Sequence, residues 1–203
     1  MLCFLLGLGF WLWGGRGGAR GGPRAAARGG GRRPAAGAAA VQAHLDRLGL
    51  SGKTQPIEGC PGAYRTEYAD SGSPRVSVLI PNKDHVEDLK RCLAALYKNA
   101  GWNNLEVIVI ENNSTDPATM EFYKAASRLP GLRFLQYSGP FNFSAINNAG
   151  AQFATGDYLL LLNNDVEMET PGFVREMLSY AQRPDVGAVG AKLLYPDGTV
   201  QHA

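Results

Sequence analysis

Between Arg75 and Leu194 two hydrophobic periods take turns along the chain. The segments "RVSVLIP", "LEVIVIE", "LRFLQY" and "DYLLLL" carry near-continuous apolar runs, rich in β-branched residues or leucine, as expected of strands buried on both faces. Pro81 ends the first, because proline cannot continue a central strand. The segment "DHVEDLKRCLAALYKNAG" instead spaces Leu89, Leu93, Leu96 and Tyr97 along one helical face. Asp84 is its expected N-cap, Glu87 the capping-box partner, and Gly101 the terminator. Pro117 opens a second helix, where its missing N–H costs nothing. "FNFSAINNAGAQFATG" predicts a short helix with Phe141 and Phe143 packed on the sheet, "TPGFVREMLSYAQRP" another helix, and "VGAVGAKLL" a fifth strand. Tyr195-Pro196-Asp197-Gly198 is a turn by composition. Strands alternating with helices imply βαβ units, hence an α/β domain with a mainly parallel sheet covered on both sides.

The leucine run ends abruptly in Asn163, Asn164 and Asp165. In a parallel sheet this puts three polar loops at one carboxyl edge: "NKDH" after the first strand, "ENNSTD" after the second and "NNDVEM" after the fourth. Turn chemistry explains any one of them, since Asn, Asp and Ser bond their own backbone. Three converging on the ligand-binding edge point to a site.

Residues 1–40 break the pattern. "LCFLLGLGFWLW" is too short to span a membrane and has no charged residue before it, and the Gly, Ala, Arg and Pro tract that follows cannot bury enough surface to fold. It is expected as a disordered arm, followed by a linker over 41–74 with one short helix presenting Val41, Leu45 and Leu48. Six arginines and no acid fall within the first 45 residues, and the remainder carries 14 Lys plus Arg against 18 Asp plus Glu. The folded part therefore has no basic stripe for nucleic acid. Cys3, Cys60 and Cys92 lack zinc or disulfide spacing, and His44, His85 and His202 lack metal spacing. The Asn-x-Ser/Thr matches at Asn112, Asn113 and Asn142 are expected as turn and cap residues.

Asp165 can offer oxygen to a hard divalent cation, Mg²⁺ or Mn²⁺, no soft ligand being nearby. One carboxylate is a poor cage unless a substrate diphosphate completes the shell. Asn163 and Asn164 can bond ribose or sugar hydroxyls without adding charge, Glu111 can accept from a base N–H, and amides from Asn112 to Ser114 can bind oxygen.

These residues match a known pattern. The blocks "RVSVLIPNKD", "VIVIENNSTD", "FNFSAINNAGAQFATGDYLLLLNNDVE" and "VGAVGAKLLYPDGTVQHA" resemble, in order, those of the family 2 glycosyltransferases. The last is similar to a rhamnosyltransferase-like subgroup whose label does not fix the sugar. The resemblance spans 75–203 and implies a Rossmann-like GT-A nucleotide-sugar-binding domain, incomplete at its carboxyl end. It implies that Pro81 and Asn82, with Asp84 in the same loop, lie beside the nucleotide, and that Glu111 takes the place of the base-contacting acid with Asn112 also binding the nucleotide sugar. It implies too that Asn163-Asn164-Asp165 stands as the D-x-D motif, with Asn163 in its ribose-facing first place and Asp165 as metal ligand. Asn163 replaces the usual first acid, and Glu111 is longer by a methylene than the usual Asp.

The activity implied is metal-assisted, inverting transfer of a sugar from a nucleotide diphosphate to a hydroxyl of a glycan or lipid-linked acceptor. The catalytic base is expected beyond Ala203, so the chain reads as a fragment; His202 is the nearest base within it. A cytoplasmic location is implied, with peripheral membrane association left open. The rival reading is a non-catalytic nucleotide-binding relic or interaction module. A sugar-nucleotide pyrophosphorylase would want a glycine-rich loop where "IPNKDH" has none.

Overall fold

The structure is a computed structural model and describes residues 2–6 and 32–202. In chain order the elements are β1 (Leu2–Leu6), α1 (Arg32–Arg47), β2 (Gly52–Pro56), β3 (Tyr64–Tyr68), β4 (Val76–Asn82), α2 (Val86–Asn99), β5 (Leu105–Glu111) and α3 (Pro117–Ala126). There follow β6 (Leu132–Gln136), α4 (Phe143–Phe153), β7 (Tyr158–Leu162), α5 (Phe173–Ala181), β8 (Ala188–Gly190), β9 (Leu193–Leu194) and β10 (Val200–His202). They divide into two compact units, residues 13–70 and the remainder.

The larger unit is built on one parallel sheet in the order β6-β5-β4-β7-β1-β8. Its central strands bury both faces because their residues alternate between two cores. Val76, Val78, Ile80, Val107, Val109, Leu160 and Leu162 share one core with α2, α3 and α5. Leu79, Ile108, Ile110 and Leu159 face the other way, onto Ile146 of α4. The apolar runs are continuous for this reason: every position has a helix above or below it.

Several boundaries depart from the sequence pattern. Leu2–Leu6, expected in a disordered arm, forms a strand paired with β7 and β8. An uncharged apolar run has the composition of an interior strand, and its periodicity names no partner. Residues 7–31 lie outside the described residues. The expected fifth strand is split, with Ala188–Gly190 in the sheet and Leu193–Leu194 pairing antiparallel with β10. The predicted turn joins that hairpin: the Gly198 amide donates to the Tyr195 carbonyl at 2.8 Å. Tyr97, assigned to the buried face of α2, is half exposed, whereas Leu89 and Leu96 are fully buried. Glu87 does not close a capping box; it pairs with Lys90 at 2.7 Å.

The smaller unit replaces the expected linker with the antiparallel β2-β3 hairpin and with α1, whose residues 32–40 are helical where a disordered arm was expected. Gln42 joins them: its Nε2 donates to the Gly52 carbonyl at 2.9 Å, and its Oε1 accepts from the Thr54 amide at 2.9 Å. Leu45 is buried, while Leu48, past the helix end, is exposed.

Candidate functional site

From β4 the chain steps to β5 and β6 on one side, then returns to add β7 on the other side of β4. The sheet therefore reverses direction between β4 and β7, and a crevice opens at such a switch point beyond the carboxyl ends of the strands. β4 does not stop at Pro81 as expected: that residue stays in register with Ile110 at the strand's penultimate position, and Asn82 ends β4 there, in register with Glu111 of β5. Asn82 is buried, and both ends of its amide are engaged. Nδ2 donates to the Tyr123 hydroxyl at 2.6 Å and to the Asp84 carbonyl at 2.9 Å, while Oδ1 accepts from Asn164 Nδ2 at 2.6 Å. One side chain thus ties the β4 loop to α3 and to the turn after β7. Burial raises the Tyr123 phenol pKa, only partly offset by its hydrogen bonds to Ser114 and Asn82.

Asp84 and His85 both adopt left-handed backbone, at φ 51° and 48°. Such conformations cost roughly 1–2 kcal/mol each outside glycine. The expected capping role of Asp84 is not observed: His85 is the N-cap residue of α2 and makes no side-chain cap bond. Asp84 Oδ1 accepts instead from the Asp116 amide at 2.8 Å and the Thr115 amide at 2.7 Å, and its own amide donates to Ser114 Oγ at 2.9 Å. Those two backbone donors, Asp116 first, hold its carboxyl below the usual range. Asp84 is therefore a clamp between two loops.

Glu111 is buried, and one of its carboxylate oxygens accepts the Ser114 amide. Asn112 donates from its side chain to the Gly139 carbonyl at 2.8 Å and the Tyr137 carbonyl at 3.1 Å. Asn113 is left-handed at φ 58°, and Asn142 is the N-cap of α4, so the turn and cap readings of these asparagines hold. Asp116, rather than a residue singled out from sequence, caps α3 with Pro117 in its first turn.

The Asn163-Asn164-Asp165 turn is braced from α2. Cys92 Sγ donates to the Asn163 carbonyl at 3.4 Å, Asn99 Nδ2 to the Met168 carbonyl, and Arg91 Nε to Glu167 at 3.0 Å. Val166 and Met168 sink into the core. Burial first, then the Asp165 charge, pushes the Cys92 thiol up to about 12, so it acts as a protonated structural donor and not a nucleophile. Asp165 is exposed.

Together these loops bound a cleft of about 180 Å³. Of the sequence-predicted residues, Pro81, Asn82, Asn112 and Asn164 line it, whereas Asp84, Glu111, Asn163 and Asp165 do not. Lys83, His85, Phe141 and Ile146 also line it. Lys83 and His85 sit in the "NKDH" loop already marked by its polarity, and a count of lining residues around Asn82 would have included them. Phe141, expected to pack on the sheet, is 73% exposed, because the loop before α4 holds it at the cleft rim. Phe143 is also exposed. His202 lies in β10, and its side chain is outside the described residues.

Among the described residues no three His, Cys, Asp or Glu side chains gather as a metal cage. With Glu167 engaged by Arg91, the exposed Asp165 is the carboxylate this turn can offer. That donor set fits a hard cation held jointly with the oxygens of a diphosphate, the usual arrangement for Mg²⁺.

A family model described as Glycosyl transferase family 2 matches residues 77–202. The chain belongs to that family. This family 2 chain is 43% identical over 169 residues to the O-antigen biosynthesis protein RfbC of Myxococcus xanthus, an alignment covering 83% of this chain and 13% of that protein. It is 38% identical over 174 residues to the uncharacterized protein y4gI of Sinorhizobium fredii, covering 83% of this chain and 19% of that protein. The chain thus spans less than a fifth of the length of either relative. Among solved structures it resembles the mannosyltransferase PcManGT from Pyrobaculum calidifontis, in complex with GDP-Man and Mn²⁺. The TM-score is 0.51 at 19% identity, over 57% of this chain and 34% of that one, a likeness of GT-A fold alone. Among the described residues no helix is long and apolar enough to cross a membrane.

Proposed function

We propose that this family 2 chain binds the donor for a glycosyl transfer in which a sugar leaves a nucleotide diphosphate for an acceptor hydroxyl. The observation carrying this reading is the cleft at the β4/β7 switch point, lined by Pro81, Asn82, Asn112 and Asn164 beside the Asn163-Asn164-Asp165 turn. With the Asn82 and Asn112 nitrogens already donating within the protein, it is the amide oxygens that suit sugar and ribose hydroxyls, since they accept without adding charge. Asp165 would hold Mg²⁺ or Mn²⁺ together with the diphosphate, and such an ion neutralises the charge that builds on the leaving group. The reaction is a single displacement with inversion. The acceptor oxygen bonds to the anomeric carbon, the bond from that carbon to the phosphate oxygen breaks, and the acceptor proton passes to a general base. No described residue is assigned that last role.

The nucleotide and Mn²⁺ in the PcManGT structure support a similar donor and cation here. The name of the RfbC relative, O-antigen biosynthesis, supports a glycan or lipid-linked acceptor and a part in polysaccharide assembly. The test is isothermal titration of UDP, GDP and dTDP with and without Mn²⁺, beside a donor-hydrolysis assay. Nucleotide affinity is expected to rise with Mn²⁺, and Asp165→Ala is expected to remove that gain, about tenfold or more, while leaving thermal stability unchanged because the side chain is exposed. Cation-dependent affinity that survives Asp165→Ala would sink the metal assignment. Binding without turnover would leave the chain a nucleotide-binding module.

A further inference from the structure

Phe141 stands 73% exposed at the rim of the cleft, yet its backbone is pinned on both sides. Upstream, the Gly139 carbonyl accepts from Asn112 Nδ2 at 2.8 Å and from Asn113 Nδ2 at 3.1 Å. Downstream, Asn142 caps α4, its side chain accepting from the Ala145 amide at 2.9 Å. Isolated apolar residues are ordinary on protein surfaces. Phe141 differs in lining a concave site whose other walls carry the amides of Asn82, Asn112 and Asn164, with Ile146 fully buried behind them. A phenyl ring exposed to water gains favourable contact when a flat apolar face covers it, and the pinned backbone on either side has little further ordering entropy to lose.

We propose that Phe141 is the stacking platform for the heterocyclic base of the nucleotide, so that the cleft prefers base-bearing diphosphates over base-free ones. The inference rests on the nucleotide-diphosphate reading of this site and adds a specificity-determining residue to it. Lys83 lines the same cleft, and although its charge also helps to hold down the neighbouring Asp84 carboxyl, a cation at this place suits phosphate. Stacking tolerates any base, because each presents a π face; selection between bases falls to the amides.

The experiment titrates UDP, GDP and inorganic pyrophosphate, each with Mn²⁺, into the unaltered chain and its Phe141→Ala and Phe141→Trp variants. The expected result is roughly ten- to a hundredfold weaker binding of both nucleotides to Phe141→Ala, with pyrophosphate unchanged. Phe141→Trp retains the affinity, and the fluorescence of the new indole is quenched by nucleotide but not by pyrophosphate. A melting temperature within a degree or so of the unaltered chain is expected for both, since the ring is exposed. Nucleotide binding by Phe141→Ala equal to that of the unaltered chain overturns the platform and leaves the site reading intact. An equal loss of pyrophosphate affinity also overturns it, because the ring would then be holding the loop. No nucleotide binding by the unaltered chain overturns the site reading and this proposal together.

Discussion

At the scale of single residues, the hydroxyl of Tyr123 is the group on which the cleft's geometry turns. Its ring packs against Phe134 with centroids 4.8 Å apart, and its oxygen accepts from the buried Asn82 amide. With Nδ2 held there, Asn82 must aim Oδ1 at Asn164, which fixes the turn preceding Asp165. Tyr123→Phe keeps the ring and removes the acceptor. Asn82 retains only the Asp84 carbonyl for that nitrogen, so its amide has freedom to rotate and release Asn164. The expected loss is about 1–2 kcal/mol of stability by denaturant unfolding. Nucleotide affinity should weaken several-fold as well, because the ligand must then reorder the pair. Unchanged affinity with reduced stability would reduce Tyr123 to a packing role. Nothing in the sequence distinguishes this tyrosine from others on helix faces, since its partner lies 41 positions away.

At the scale of elements, periodicity carried the strands and helices and failed at their ends. β7 was legible because four leucines in succession require cover on both faces, and α4 and α5 supply it from opposite sides. The start of α2 was not, because Asp84 has amide donors available from another loop and its backbone is left-handed. The end of α2 was legible through Gly101, and the structure shows a second reason for that glycine. At φ 63° it reverses the chain, and a Cβ there would lie 2.5 Å from the Cα of Gly172. This close approach lets α5 begin on the end of α2: the Gly172 amide donates to the Asn99 carbonyl at 2.7 Å, and the Val174 amide to the Ala100 carbonyl at 3.1 Å. Gly101→Ala combines a left-handed alanine with backbone overlap, so a loss of about 2–4 kcal/mol is expected in denaturant unfolding. Asn99 also holds the Met168 carbonyl, so cation-dependent nucleotide binding should weaken along with stability. A Gly101→Ala chain as stable as the original would mean that α2 and α5 can part without cost.

At the scale of the whole sheet, the two edges perform different tasks, and the amino edge sets where the carboxyl edge falls. Glu106 of β5 has a side chain only 2% exposed, and four hydrogen-bond donors converge on it, with Arg75 Nη2 ion-paired at 3.8 Å. Ser77 Oγ donates at 2.6 Å, the Thr155 amide at 2.9 Å, Thr155 Oγ1 at 3.2 Å and Arg133 Nη1 at 2.8 Å. Ser77 in turn accepts from the Gly156 amide at 2.9 Å, and Asp157 accepts from the Arg75 amide at 2.9 Å. A Cβ on Gly156 would lie 2.7 Å from the Ser77 nitrogen, so β7 enters the sheet through a gap that only glycine fits. This lattice pairs Tyr158 with Val76, and the strand length then delivers Asn164 to Asn82 at the far end. Burial raises the Glu106 carboxyl pKa, but the hydrogen bonds from Ser77, Thr155 and Arg133 outweigh it and bring the value below the ordinary 4.5. A carboxyl depressed in the folded state contributes stability in full above its unfolded pKa and loses it as pH falls through the folded value. Unfolding free energy should therefore be flat in this component from pH 7 to about 4.5 and decline below it. Glu106→Gln should begin about 1–3 kcal/mol less stable at pH 7, because a neutral amide pairs poorly with these donors, and should lack this component of the acid decline. Arg133 is half exposed and regains water, which keeps the penalty below that of a fully buried broken pair. Parallel pH profiles for the two proteins would assign the acid limb to other carboxylates and leave β7 anchored by Gly156 and Asp157 alone.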